Sequence, residues 1–234
     1  MAQLHVTIMP NKKGRDFVVG DIHGQTPDLF QAMKDVAFDT KVDRLFSVGD
    51  VIDRGPDSLG AIKLLDEPWF YTVRGNHEQI AIEAIKSQNH KTWLLNGGKW
   101  ADNLPYGILL DMKAKFLKLP YALSLLQADG SIVGICHAEW LESDWAEVGQ
   151  IVMNYKKVGE MLWGRQIFRE KIIKHDKTAA VTIHGHTAVR KPTKLGTALF
   201  IETAAKYNRT LSLMTIEEAI AIPSMDRDIE EDVE

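Results

Sequence analysis

The sequence predicts an α/β fold built from βαβ units around a mostly parallel sheet. Two observations carry this. Three short apolar runs, Phe17-Val18-Val19, Leu45-Phe46-Ser47-Val48 and Phe70-Tyr71-Thr72-Val73, are each followed by a stretch with helical spacing. Strands that alternate with helices need crossover connections, and crossovers pair strands in parallel. The chain has 234 residues, the length of one generous α/β domain, and such a chain buries roughly 70% or more of its unfolded surface.

The elements follow in order. The first strand runs into Gly20-Asp21, and Leu29, Phe30, Met33 and Val36 recur at helical spacing after Pro27. The second runs into Gly49-Asp50, and Leu59, Ile62 and Leu65 mark a helix after Pro56. The third runs into Arg74-Gly75-Asn76, and Ile80, Ala84 and Ile85 mark the next helix. The second half is more mixed. Runs at 122–126 and 132–136 flank Asp129-Gly130, a hairpin signal. Helical patterning covers 109–117 and 155–173. Val181-Thr182-Ile183, Leu199-Phe200-Ile201 and Leu211-Ser212-Leu213 read as strands. Residues 1–224 are expected to form a single domain, and 225–234 a solvated, disordered acidic tail.

Composition narrows the class. A formal net charge of -4 leaves no basic footprint for nucleic acid and no polybasic stretch for lipid. The lone cysteine, Cys136, cannot form a disulfide within the chain. No apolar run reaches the roughly 18 residues of a membrane span, and residues 1–17 lack the pattern of a secretory signal. The expected compartment is the cytoplasm. Nothing in the sequence speaks to oligomeric state.

Chemistry concentrates at the three strand ends. Asp21 and His23 stand two apart, so in extended backbone both leave one face. A carboxylate and an imidazole together begin a transition-metal site, although a polar loop with a bonded histidine has the same spelling. The second cassette, Gly49-Asp50-Val51-Ile52-Asp53-Arg54-Gly55, crowds two carboxylates against an arginine. It reads either as a structural salt bridge or as Asp50 bridging two cations, Asp53 orienting a catalytic group and Arg54 clamping a phosphoryl oxygen. In the third, Arg74-Gly75-Asn76-His77-Glu78, Asn76 offers a neutral oxygen ligand or a helix N-cap. His77 beside it can protonate a leaving oxygen. A crevice beyond the carboxyl ends of three strands is where open α/β sheets bind ligands.

Together the cassettes resemble the metallophosphoesterase superfamily, and within it the phosphoprotein phosphatase family, whose signature is G-D-x-H-G, G-D-x-x-D-R-G and G-N-H-E. All three stand intact over Gly20–Gly24, Gly49–Gly55 and Gly75–Glu78. Leu162-Trp163-Gly164-Arg165 resembles the W-x-R segment of the compact phage and bacterial members. The resemblance covers roughly residues 16–203. It implies a metallophosphoesterase-type βαβαβ core, a two-sheet sandwich flanked by helices. It supplies two late metal-binding histidines, His137 and His186. It implies that Asp21, His23 and Asp50 hold one divalent cation while Asp50, Asn76, His137 and His186 hold the other. The mixed nitrogen and oxygen set suits Mn, Fe, Zn or Co, and the resemblance favours Mn.

The same resemblance implies hydrolysis of phosphate monoesters on phosphorylated protein, at phosphoserine and phosphothreonine with phosphotyrosine a further class, or on small phosphate esters, by direct attack of a hydroxide that bridges the metals. His77 is then the acid, Asp53 its partner, and Arg54, Arg74 and Arg165 the phosphate clamp. Diadenosine tetraphosphate hydrolysis, or another small phosphodiesterase activity, is the alternative within the superfamily. A non-catalytic scaffold is disfavoured because no ligand is missing. Two departures stand out. Ala138-Glu139 follows His137, and Ile201-Glu202-Thr203-Ala204-Ala205 replaces an Asp-Thr-Gly pattern. The six tryptophans, Trp69, Trp93, Trp100, Trp140, Trp145 and Trp163, read as core or rim packing.

Overall fold

A computed structural model describes residues 3–204 and 210–225. The acidic tail beyond Met225, and Ala205, lie outside the described residues. The first strand, β1 (His5–Ile8), is an element the sequence reading missed. The three apolar runs then form β2 (Asp16–Val19), β3 (Arg44–Ser47) and β4 (Phe70–Thr72). Between and after them come α1 (Thr26–Asp35), α2 (Ser58–Leu64) and α3 (Asn76–Ser87). Pro27 opens α1, where its missing N–H costs nothing, and the Asp57 side chain caps α2 by accepting from the Gly60 amide at 2.8 Å.

The short α4 (Lys91–Leu95), a 3-10 turn at Gly98–Ala101 and α5 (Tyr106–Phe116) follow. The expected hairpin is β5 (Ala122–Leu126) with β6 (Ile132–Cys136), turning through Gly130 at φ +87°. After α6 (Val148–Ile151), the helical stretch expected over 155–173 divides into α7 (Tyr155–Trp163) and α8 (Gln166–Arg169). The break is tertiary in origin. Gly164 is extended at ψ 148° against the Glu139 side chain, and the Glu139 carboxylate accepts from the Ile167 amide at 2.9 Å. Periodicity carries no sign of that contact. Last come β7 (Ala179–Ala188), β8 (Thr193–Leu195), β9 (Ala198–Glu202), β10 (Leu213–Thr215) and α9 (Ile216–Ala221). The strand expected at 211–213 therefore begins two residues later.

The strands form two sheets, ordered β1-β5-β6-β7-β9-β8 and β10-β2-β3-β4. In the smaller sheet β2, β3 and β4 run parallel, so their carboxyl ends share one edge. The sheets face each other. Val18, Phe46, Val48 and Val73 pack with Leu123, Val133, Ile135, Ile183 and Leu199 between them. Their neighbours Phe17, Val19 and Leu45 point the other way, into the layer of α1, α2, α3 and α5. That is the period of two expected of strands covered on both faces. The molecule is a mixed α/β two-sheet sandwich flanked by helices.

Candidate metal centre

Both sheets feed one cluster of side chains. Asp21 and His23 follow β2, Asp50, Asp53 and Arg54 follow β3, and Asn76 opens α3 after β4. From the larger sheet, His137 follows β6. His186 lies in β7 where the register with β9 shifts between His184 and Ala188. Such irregularities re-aim a side chain beside a site. Backbone bonds tie these loops together: the His23 amide donates to Asp50 O at 2.8 Å, and the Gly185 amide to His137 O at 2.7 Å. A Cβ at Gly185 would overlap the Asp21 carboxylate, so the close approach requires glycine.

The loops are strained. His23, Asp50, Asp53, Arg54 and His186 have φ of 44°, 48°, 74°, 66° and 59°. Each non-glycine residue in this region costs roughly 1–3 kcal/mol and persists where its surroundings over-determine it.

Two trios of ligand atoms share Asp50. In the trios His23, Asp50, His77 and Asp50, His137, His186, the atoms lie within 4.8 Å of one another. His23 Nδ1 donates to Ile52 O at 2.9 Å and His137 Nδ1 to Val48 O at 2.8 Å. Both therefore turn Nε2 inward, as metal-binding imidazoles do. Asn76 Oδ1 lies 2.8 Å from His137 Nε2 and 2.9 Å from His186 Nδ1. The N-cap of α3 is Gly75, so Asn76 is not the cap. Asp21 borders both trios. Its carboxylate accepts from the His186 amide at 3.0 Å and comes within 4.0 Å of His23 Nε2 and 3.9 Å of His137 Nδ1. His77 thus occupies the place in the first trio where the expectation has Asp21.

The charge balance calls for cations. Asp21, Asp50 and Glu202 are all buried. Burial, then Glu202 and Asp50, hold the pKa of Asp21 well above the carboxylate range. Burial also opposes ionisation of Asp50, but His137, His77 and His23 outweigh it and hold its pKa well below that range. Buried carboxylates in such company are stable when cations join them. His and Asp side chains are positioned for a metal centre, and the mixed donor set fits divalent transition ions.

His77, a member of the first trio, also has a partner outside it. Its Nδ1 lies 2.6 Å from Asp53 Oδ2. Its Nε2 is buried with no hydrogen-bond partner among the described residues, 3.9 Å from Asp50 Oδ2. Burial works against its charge, but Asp50 and Asp53 prevail and raise its pKa. Arg54 is exposed and sets Nη1 2.8 Å from His23 Nε2. Arg165 is half-buried and donates from Nη2 to His186 O at 3.2 Å.

Arg74 stands apart from these two arginines. Its guanidinium is buried. It donates to Tyr121 Oη at 2.8 Å, to Gln79 Oε1 at 3.2 Å, and to the carbonyls of Leu117 and Leu119 at 3.0 and 3.2 Å. It also stacks on the Tyr121 ring at 4.6 Å. Those contacts fasten α3 to the segment that leads into β5.

The family model for calcineurin-like phosphoesterases matches residues 17–190. The chain belongs to the calcineurin-like phosphoesterase family. Among curated members it is 35% identical over 207 residues to "Serine/threonine-protein phosphatase 1" of Salmonella typhimurium, covering 86% of this chain and 91% of the relative. It is 41% identical over 64 residues to "Bis(5'-nucleosyl)-tetraphosphatase, symmetrical" of Dechloromonas aromatica, covering 26% and 23%. A solved serine/threonine phosphatase from Saccharomyces cerevisiae superposes with a TM-score of 0.59 at 16% identity, covering 88% of this chain and 73% of that one. That likeness speaks to the fold. Among the described residues of this calcineurin-like phosphoesterase, no helix is long and apolar enough to cross a membrane.

Other polar residues hold the centre together, in roles the sequence reading did not assign. Glu78 was legible as part of the third cassette. Its carboxylate accepts from the amides of Asp50, Val51 and Gly75 at 3.0, 2.9 and 2.8 Å, and so locks the second cassette to the third. Glu202 accepts from the Asp21 amide at 3.0 Å, which gives the departure near the C-terminus a structural role. Trp93 and Trp100 donate to Asp53, and neither carried a signal. Trp140 and Trp145 are core residues, as expected. His184 is held by Thr182 and Cys136 and stays outside the centre.

Proposed function

We propose that this chain is a metal-dependent phosphoprotein phosphatase that hydrolyses phosphoserine and phosphothreonine monoesters, with phosphotyrosine a further substrate class. One observation carries the reading: two trios of ligand atoms share Asp50, and His77, a member of the first, is paired through Nδ1 with Asp53. The similarity to the Salmonella phosphatase over most of both chains supports the substrate class.

Asp21, His23 and Asp50 would hold one divalent cation, and Asp50, Asn76, His137 and His186 the other. Mn(II) is the proposed metal, ahead of Fe, Zn and Co. When bound, such a pair neutralises phosphoryl charge and acidifies water near neutral pH. The chain supplies the rest. Arg54 and Arg165 bind phosphoryl oxygens and spread the negative charge that grows in the transition state. His77 carries a proton at Nε2 toward the leaving oxygen, while Asp53 holds its Nδ1–H and so the ring's orientation. Glu139 seats the Gly164–Arg165 joint and thereby Arg165. The cytoplasm is the proposed compartment, on the composition of the chain.

The second reading, a diadenosine tetraphosphate hydrolase, draws on the shorter similarity to the tetraphosphatase of Dechloromonas aromatica. Comparing kcat/KM on a phosphopeptide panel and on diadenosine tetraphosphate, with Mn(II), separates the two. Preference for the dinucleotide would overturn the first reading. Chelator-resistant turnover of either substrate would overturn both.

A further inference from the structure

Asp53 is sealed from solvent and accepts three side-chain donors. His77 Nδ1 is one. Trp93 Nε1 reaches both oxygens, at 2.9 and 3.1 Å, and Trp100 Nε1 reaches Oδ1 at 2.8 Å. The two indoles meet edge to face, with centroids 5.8 Å apart. Trp93 belongs to the core beneath the helices, and Trp100 packs against that core. Both rings are therefore fixed by packing before they meet Asp53.

The backbone at Asp53 and Arg54 needs such support. Two consecutive non-glycine residues lie in the left-handed region, at φ 74° and 66°. The turn between the tryptophans supplies contact there. Gly97, at φ +105°, lies against Arg54, and a Cβ at 97 would stand 2.9 Å from the Arg54 nitrogen. One segment, Trp93 to Trp100, thus touches the partner of His77 through its side chains and Arg54 through its backbone.

We propose that Trp93 and Trp100 are positioning residues: their indole N–H groups hold the Asp53 carboxylate so that it orients His77, and the Gly97 turn between them seats Arg54. This rests on the monoesterase reading above. An indole N–H donates and carries no charge, so it fixes a carboxylate without competing with His77 for the ion pair. The brace therefore acts on the acid through Asp53 and touches neither substrate nor metal.

Phenylalanine keeps an aromatic ring and removes the donor, along with the five-membered half of the indole. In the metal-loaded protein, Trp100→Phe and Trp93→Phe should each lower kcat on an alkyl phosphate about tenfold. On p-nitrophenyl phosphate, whose leaving group scarcely needs a proton, the loss should be about twofold or less. Added to Asp53→Asn, either change should cost almost nothing more, because both act through the same carboxylate. Equal losses on the two substrates, or losses that add to that of Asp53→Asn, overturn the proposal. Should Trp93→Phe fail to fold, Trp100→Phe bears the same test at a less buried ring. An arm independent of turnover uses NMR: the indole N–H signals of both tryptophans should move in Asp53→Ala. If neither moves, the brace is wrong even in an active enzyme. If the wild type hydrolyses neither substrate with Mn(II), the monoesterase reading fails, and the NMR arm still decides the brace.

Discussion

His77 Nδ1 lies 2.6 Å from Asp53 Oδ2, with both side chains sealed from solvent. The remaining ring nitrogen faces the cluster of ligand atoms without a partner among the described residues. A buried polar nitrogen left open costs roughly 1–3 kcal/mol, so its persistence at this point is what an acid awaiting a leaving oxygen would show. His77→Asn should lower kcat by about 10²–10⁴ on alkyl phosphates and much less on p-nitrophenyl phosphate. Steady-state kinetics on the two substrates checks it; equal losses count against the acid role.

Asp50 is the residue common to both trios. Asp50→Asn should strip both metals, where loss of a ligand to one site alone would strip one. Elemental analysis of the purified variant measures the stoichiometry. Two metals retained per chain would sink the bridging assignment.

His137 gives a pH dependence with a definite sign. Burial lowers its pKa, but Asp50 and then Asp21 overcome this and push it up from 6.5 to about 9. A raised histidine stabilises the folded state fully below 6.5 and loses that contribution as pH climbs through about 9. Metal-free protein should therefore lose thermal stability between pH 6.5 and 9. Burial lowers His23 and His186 to about 3, so they act with the opposite sign and below that window. Metal uptake at pH 7 should release a proton from His137. Calorimetry in two buffers of different ionisation enthalpy reads that release directly.

The arginines should divide by role. Arg54→Leu and Arg165→Leu should raise KM or lower kcat by about tenfold or more while leaving the melting temperature nearly unchanged. Arg74→Leu should do the reverse, destabilising the fold by roughly 3 kcal/mol through lost buried hydrogen bonds, with modest effect on the remaining kcat/KM. A large KM change for folded Arg74→Leu would restore it to the clamp.

The sequence was a good guide wherever the chemistry is local. Asp21, His23, Asp50, Asn76 and His77 follow strands whose apolar runs are plain, and residues placed just after parallel strands converge. The hairpin at Gly130 was legible because its turn chemistry is local too. The sequence was silent where the contact comes from far along the chain. Arg74 stands in an intact cassette, yet Tyr121, Leu117 and Leu119 claim its guanidinium. The helix over 155–173 breaks because Glu139 packs on Gly164. The indole donors to Asp53 come from 40 and 47 residues away.

By itself, then, the sequence determined the βαβ pattern, the residue types at the strand ends and the crevice they share, because alternation and turn chemistry act over a few residues. The tertiary structure alone decided which ligand atoms face one another, which groups accept from the Arg74 guanidinium, and that two tryptophans donate to Asp53. Those outcomes depend on how two sheets and their helices pack, and packing joins residues whose separation in the chain carries no periodic trace.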